Sequence, residues 1–213
     1  MARFMFLVPI IVQLLFLQVV TSQKSRKVLS HSERRVNIWI PDADYITRCD
    51  FNNNSRPFCD WIQTCKGDSG NWIRNKHATP TLGTGPNGDY PNGDGFFIYQ
   101  EASNFAPSGS IRLESKEISV SGEICIDFWY HMMGSEDQNE LKVLVTDYAT
   151  EREVWSERGN QGSSWLYTSR TVNFPTKSNI QVIFEAVRGR TEYGDTAIDN
   201  VAVRRGNCDS GKI

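Results

Sequence analysis

Three segments carry residue types that could do chemistry. Cys65-Lys66-Gly67-Asp68-Ser69-Gly70 looks like the nucleophile loop of a chymotrypsin-type protease. Such a serine needs a histidine base oriented by a buried aspartate, and both arrive well upstream in those chains. Here only His31 precedes Ser69, in a polar stretch, and the chain before it is too short to build the first barrel of that fold. Gly83-Thr84-Gly85-Pro86-Asn87-Gly88 fits the dinucleotide spacing, which works only between a strand and a helix N-terminus that receives the pyrophosphate. Thr79-Pro80-Thr81 before it and Asp89-Tyr90-Pro91-Asn92-Gly93 after it leave no room for that helix, so this is a loop. Its continuation through Asp94 misses the EF-hand spacing, although Asp89 could serve a cation site on a sandwich loop. His31, His77 and His131 are scattered and show no zinc-type pairing. No nucleophile, base and orienting group can be assembled, and the chain reads as no enzyme.

The five cysteines, Cys49, Cys59, Cys65, Cys125 and Cys208, point instead to a disulfide-framed extracellular domain. The start of the chain says how they come to be oxidised. Arg3 gives a short positive region, residues 4–20 form an apolar run, and Val20-Thr21-Ser22 supplies tolerated side chains for cleavage. Pro9, Gln13 and Gln18 interrupt the run, which favours a signal peptide (residues 1–22) over a membrane anchor. The expected product is secreted, with no membrane span once the leader is gone. Removing those residues takes away only Arg3, leaving 22 basic against 25 acidic residues. That near-neutral balance argues against nucleic acid as a partner. Residues 23–46 are polar, basic and without period, and read as an N-terminal linker. Lys24, Arg26, Lys27, Arg34 and Arg35 also permit a heparin-binding arm, though a solvated tail is the simpler reading. Asn53-Asn54-Ser55 is a glycosylation sequon at Asn53.

Stepping of apolar residues by two dominates the rest. Candidate strands are 36–40, 95–101, 110–114, 123–132, 141–148, 153–157, 165–174, 180–187 and 197–204. Leu141, Val143 and Val145 alternate with Lys142, Leu144 and Thr146, and turn residues such as Gly159-Asn160-Gln161-Gly162 separate the runs. No segment keeps a helical period for three turns. The expectation is an all-β sandwich of two antiparallel sheets.

Three blocks resemble a known module. Cys49-Asp50-Phe51-Asn52 with Cys59-Asp60-Trp61 and Asn71-Trp72 resembles the opening of a MAM domain, shared by meprins, neuropilins and receptor tyrosine phosphatases. The run from Cys125 through Ile126-Asp127-Phe128-Trp129-Tyr130 to Gly134 is similar to its central strand. Ala197-Ile198-Asp199-Asn200-Val201 with Gly206-Asn207-Cys208 is similar to its closing strand. The match spans residues 49–208, and the domain is placed at 47–210. The resemblance implies a jelly-roll sandwich, the pairs Cys49–Cys59 and Cys125–Cys208, and a fifth thiol, Cys65, free or intermolecular. It also implies protein–protein recognition, adhesion or self-association, with an extracellular protein or a second copy as partner. No cofactor is required. A structural calcium or sodium ion at Asp50, Asn52, Asp89 and Asp199 is the one for which the family pattern has room, and these residues also read as turn formers without metal. Asn52 stands where the family usually has glutamate, which lowers the charge of such a site. Trp155, Arg188 and Arg190 are candidate interface anchors. The alternative function is a lectin-like sandwich, discriminated by whether aromatic side chains gather exposed on one face.

Overall fold

Alternation decides the architecture. In β6 (Ile118–Gly134), Ile124, Ile126, Phe128, Tyr130 and Met132 fall on one face and all enter the main core, as the two-residue period of a strand requires. The computed structural model describes residues 44–64, 68–135 and 138–209. Among them the other strands are β1 (Tyr45–Cys49), β2 (Trp61–Gln63), β3 (Ile73–Asn75), β4 (Phe97–Gln100), β5 (Ser110–Ser115), β7 (Glu140–Thr146), β8 (Glu151–Arg158), β9 (Leu166–Val187) and β10 (Gly194–Arg205). Every strand pair is antiparallel.

One sheet runs β3-β4-β10-β6-β9, with β1 pairing β10 beyond the end of β4. The other runs β2-β5-β9-β7-β8. β9 belongs to both: its first part pairs β6 as far as Ile180, and the rest pairs β5 and β7. The sheet therefore curls over itself into a jelly-roll sandwich. Ile111, Leu113, Val143, Phe184, Ile198 and Val203 meet between the layers. Phe128 and Phe184 stand edge to face at 4.9 Å across it, a preferred aromatic geometry. A second, smaller cluster of Phe97, Tyr99 and Ala197 packs on the outer face of the first sheet. That part of the face is thus covered as well.

The structure departs from the sequence reading in four places. Segments 165–174 and 180–187 are one strand, because Pro175 falls where the β6–β9 register shifts and no ladder N–H is needed. β6 begins before residue 123, with Gly122 taking φ 84° at the same irregularity. β1 takes in Tyr45 and Ile46, assigned above to the linker, by pairing along β10. The short β2 and β3 have too few residues to show a period. The leader, most of the linker, the 36–40 segment and Cys65 lie outside the described residues.

Candidate functional site

A bulge in β10 builds the site. Asp199 pairs with Trp129 and Ala202 with Asp127, so Asn200 and Val201 share one position opposite Phe128. Asn200 takes φ 49°, a left-handed conformation that asparagine tolerates. Here β10 exchanges one neighbour, β4, for another, β1, and bulges commonly re-aim side chains at such points. Asp199 is left fully buried. Its two oxygens accept the backbone N–H groups of Tyr90 at 2.9 Å and Asn200 at 2.7 Å. Burial pushes its carboxyl up to about 8, and the nearby charges of Asp89 and Asp50 add to the rise.

Of the oxygens expected to hold a cation, those of Asp89 and Asn52 come together beside Gly95. Asp89 is buried, and its Oδ1 has no hydrogen-bond partner. A Cβ at Gly95 would collide with both Asp89 Oδ2 and Asn52 Oδ1, so glycine there keeps the two oxygens facing one small space. Asn52 Oδ1 also accepts the N–H of Phe96 at 2.6 Å, while Asp50 Oδ1 accepts that of Asn52 at 3.0 Å. Among the described residues no three carboxylate, imidazole or thiol groups stand at metal-holding spacing. The donor set is therefore dispersed: buried Asp89 and Asp199, the amide oxygen of Asn52, and exposed Asp50. An orphaned buried carboxylate oxygen with the Asn52 amide oxygen close by fits a hard cation, and the N–H bonds to Asp199 fit a turn held by its carboxylate.

Asp50 and Asn52 also form part of the wall of a groove of about 690 Å³ on the outer face of the first sheet. Tyr45, Tyr90 and Trp129 line it. Tyr90 stacks on Trp129 with centroids 3.4 Å apart and planes 15° apart, and Tyr167 packs beside Trp129 at 5.4 Å. The Arg48 guanidinium lies 4.9 Å over the Tyr45 ring. Tyr167 remains 45% exposed, though burial of its hydroxyl pushes its pKa up to about 12. Four aromatic residues thus assemble on one face. Beneath them Arg204, 1% exposed, donates to Asp127 Oδ2 at 3.0 Å and to the carbonyls of Asn207 and Cys208.

The remaining predicted residues are dispersed. The structure joins Cys49 to Cys59 and Cys125 to Cys208. Ser69 Oγ accepts the Ser110 N–H at 3.2 Å and so docks its loop on β5. His77 is exposed and His131 is buried against Trp165. The anchors fare differently. Arg188 is buried and braces the carbonyls of Phe105 and Thr191; Trp155 packs edge-on against Phe128 and Tyr130; Arg190 is exposed. Trp61 and Trp72 are core. Sequence reasoning missed the groove, whose members come from four separated stretches, and missed the Asp127–Arg204 pair. An arginine alternating with core valines in the closing strand was the available signal for the latter.

Comparison with known proteins follows the same boundaries. The model of the MAM domain, meprin/A5/mu, matches residues 49–209. Zonadhesin of Mus musculus is 36% identical over 169 residues, covering 77% of this chain and 3% of that protein. Thyroid hormone-induced protein B of Xenopus laevis is 32% identical over 167 residues, covering 76% of this chain and 23% of that protein. The chain thus spans less than a quarter of the length of either relative. Among solved structures, the K1 cleaved adhesin domain of Lys-gingipain from Porphyromonas gingivalis W83 superposes with a TM-score of 0.50 at 13% identity, over 75% of this chain and 98% of that one; this likeness is one of fold. Family match, cysteine framework and curled sandwich agree: the chain belongs to the MAM domain family.

Proposed function

We infer that the domain is a secreted extracellular recognition module that binds a protein surface, a second copy of itself included, and catalyses nothing. The MAM match over residues 49–209 carries this reading. The two disulfides suit an oxidising compartment. Among the described residues no helix is long and apolar enough to cross a membrane. Leu82, 97% exposed, and Tyr193, 49% exposed, offer apolar contacts. They stand on two loops that Thr84 ties together by donating to Asp195 Oδ2 at 2.8 Å, with Arg190 close by in sequence. This end of the sandwich is the candidate contact surface in place of Arg188 and Trp155.

Sedimentation of the secreted chain at micromolar concentration tests the reading. A dimer weakened about tenfold or more by Leu82→Asp is expected, the loss of one buried anchor. A strictly monomeric chain that binds defined glycans on an array would promote the lectin reading instead. The same material tests the cation proposal, in which Asp89, Asp199, Asn52 and Asp50 would hold calcium or sodium as a structural ion. Binding at 100-fold excess over Kd stabilises by about 2.7 kcal/mol, worth several degrees in a domain this size. Identical melts in millimolar calcium, in sodium and in chelator would remove the site.

A further inference from the structure

The groove lined by aromatic rings has the chain's sequon on its wall: Asn53 lines the same space as Tyr45, Tyr90 and Trp129. Its volume of about 690 Å³ sits within the size range of small-ligand clefts, roughly 300–1,000 Å³. Asn53 is also fixed. Its Oδ1 accepts the N–H groups of Ser55 at 2.9 Å and Arg56 at 3.1 Å, which leaves Nδ2 as the atom to be glycosylated. The loop around it is held from several sides. The Cys49–Cys59 bridge closes it, and Arg74 donates to Phe51 O at 2.7 Å and to Asn54 Oδ1 at 2.8 Å while lying on the Phe96 ring. A sugar joined here starts from an immobilised point beside an aromatic platform.

We propose that the groove seats the chain's own N-glycan, the first N-acetylglucosamine units on Asn53 lying along Tyr90 and Tyr45. Aromatic faces are electron-rich, and the C–H face of a pyranose, polarised by its hydroxyl-bearing carbons, packs on such a face. Arg48, Asp50 and Asn200 on the same walls offer donors and acceptors to the hydroxyl and N-acetyl groups. Attachment joins Asn53 Nδ2 to the anomeric carbon of a lipid-pyrophosphate-linked oligosaccharide; the amide loses a proton and the lipid pyrophosphate leaves. The glycan then covers aromatic surface that would otherwise be an aggregation liability. The inference rests on entry into the secretory pathway, and the test separates the two.

The full chain is expressed in animal cells with isotope-labelled glycans, as wild type, Tyr90→Ser, Tyr45→Ser and Ser55→Ala. Mass spectrometry is expected to find Asn53 glycosylated except in Ser55→Ala. In the wild type, the first N-acetylglucosamine protons should move upfield by ring currents relative to the denatured glycoprotein. Both tyrosine variants should lose much of that shift, and peptide N-glycosidase should cleave the native variants roughly two- to tenfold faster, the change that one aromatic contact gives. Tyr45→Ser guards against a folding defect at the Tyr90 stack. A secreted chain with Asn53 unmodified, or with glycan protons at solvent-like positions, overturns the proposal while leaving secretion intact. A chain retained in the cytosol overturns the secretory reading and the proposal together. Displacement of those signals by an added oligosaccharide or by a protein partner would give the groove to that ligand instead.

Discussion

Arg204 brings a charge into a place where water does not follow. It is 1% exposed, and its compensation is Asp127 together with two carbonyls from the closing turn. Burial holds the Asp127 carboxyl above its ordinary range and Arg204 pulls it the other way. Removing one member of such a pair leaves an uncompensated buried charge, which costs about 3–5 kcal/mol. Arg204→Ala is therefore expected to lose that much in urea denaturation, and the double change with Asp127→Ala to lose less than the sum. His131 is a second test at this scale. Burial lowers its pKa, against an opposing pull from a backbone hydrogen bond at Ser163, so the folded form favours neutral imidazole. Below the ordinary imidazole value of about 6.5 the unfolded chain gains a proton that the folded chain refuses. The stability this site gives is therefore complete above that pH and declines as pH falls toward the lowered folded value. His131→Leu should flatten the fall in stability as pH drops below about 6.5; an unchanged profile would show that other groups set it. The sequence exposed little of this. Arg204 sits in a strand whose alternate residues are core, and only the register opposite Cys125 shows that its side chain meets Asp127.

Strand-level organisation explains which features could be read from the chain. β7 and the later parts of β6 and β9 are long enough for alternation to show, and they were legible. β2 and β3 are three residues each and exist through their pairing with β5 and β4, which no local pattern encodes. Pro175 reads as a break until its neighbours are seen to occupy an irregularity in the ladder. The bulge at Asp199 was not legible: the family resemblance marked Asp199 and Asn200 only as part of the closing strand, and the meaning of the bulge is the exchange of β4 for β1 along β10. The disulfides act on these elements unequally. Cys125–Cys208 closes a separation of 83 residues and Cys49–Cys59 one of 10. Chain-entropy arithmetic gives about 4.5 kcal/mol for the longer and about 2.7 for the shorter, in a model that neglects strain. Cys125→Ala with Cys208→Ala should therefore lower stability more than Cys49→Ala with Cys59→Ala, by about 2 kcal/mol. The short bridge should instead govern protease resistance of the loop carrying Asn53. Equal losses would mean that residual structure in the unfolded chain, not loop length, decides.

At the scale of the whole molecule the question is how two copies would meet. Identical patches pair most readily about a two-fold axis, which brings equal positions of the two chains together. Cys65 itself lies outside the described residues, but the chain on either side of it is anchored at one margin of the second sheet. β2 is the outermost strand there, and just beyond Cys65 Ser69 donates its N–H to Ser110 O at 2.7 Å while Asp68 Oδ2 accepts the Arg112 N–H at 3.2 Å. With the other four cysteines joined in two intramolecular bridges, Cys65 is the cysteine left over, and a covalent bond from it to a second chain is the expectation to test. The protein, if it dimerises through that thiol, is expected to show a dimer band in non-reducing electrophoresis that disappears with reductant and in Cys65→Ser. Sedimentation of Cys65→Ser then separates two arrangements. If the noncovalent dimer persists and remains sensitive to Leu82→Asp, the loop end makes the interface and the disulfide only locks a second contact. If pairing vanishes with the thiol, the sheet margin is the interface and the loop end belongs to another partner. Monomer bands for both proteins, with Cys65 resisting alkylation in the native state, would rule out the covalent dimer.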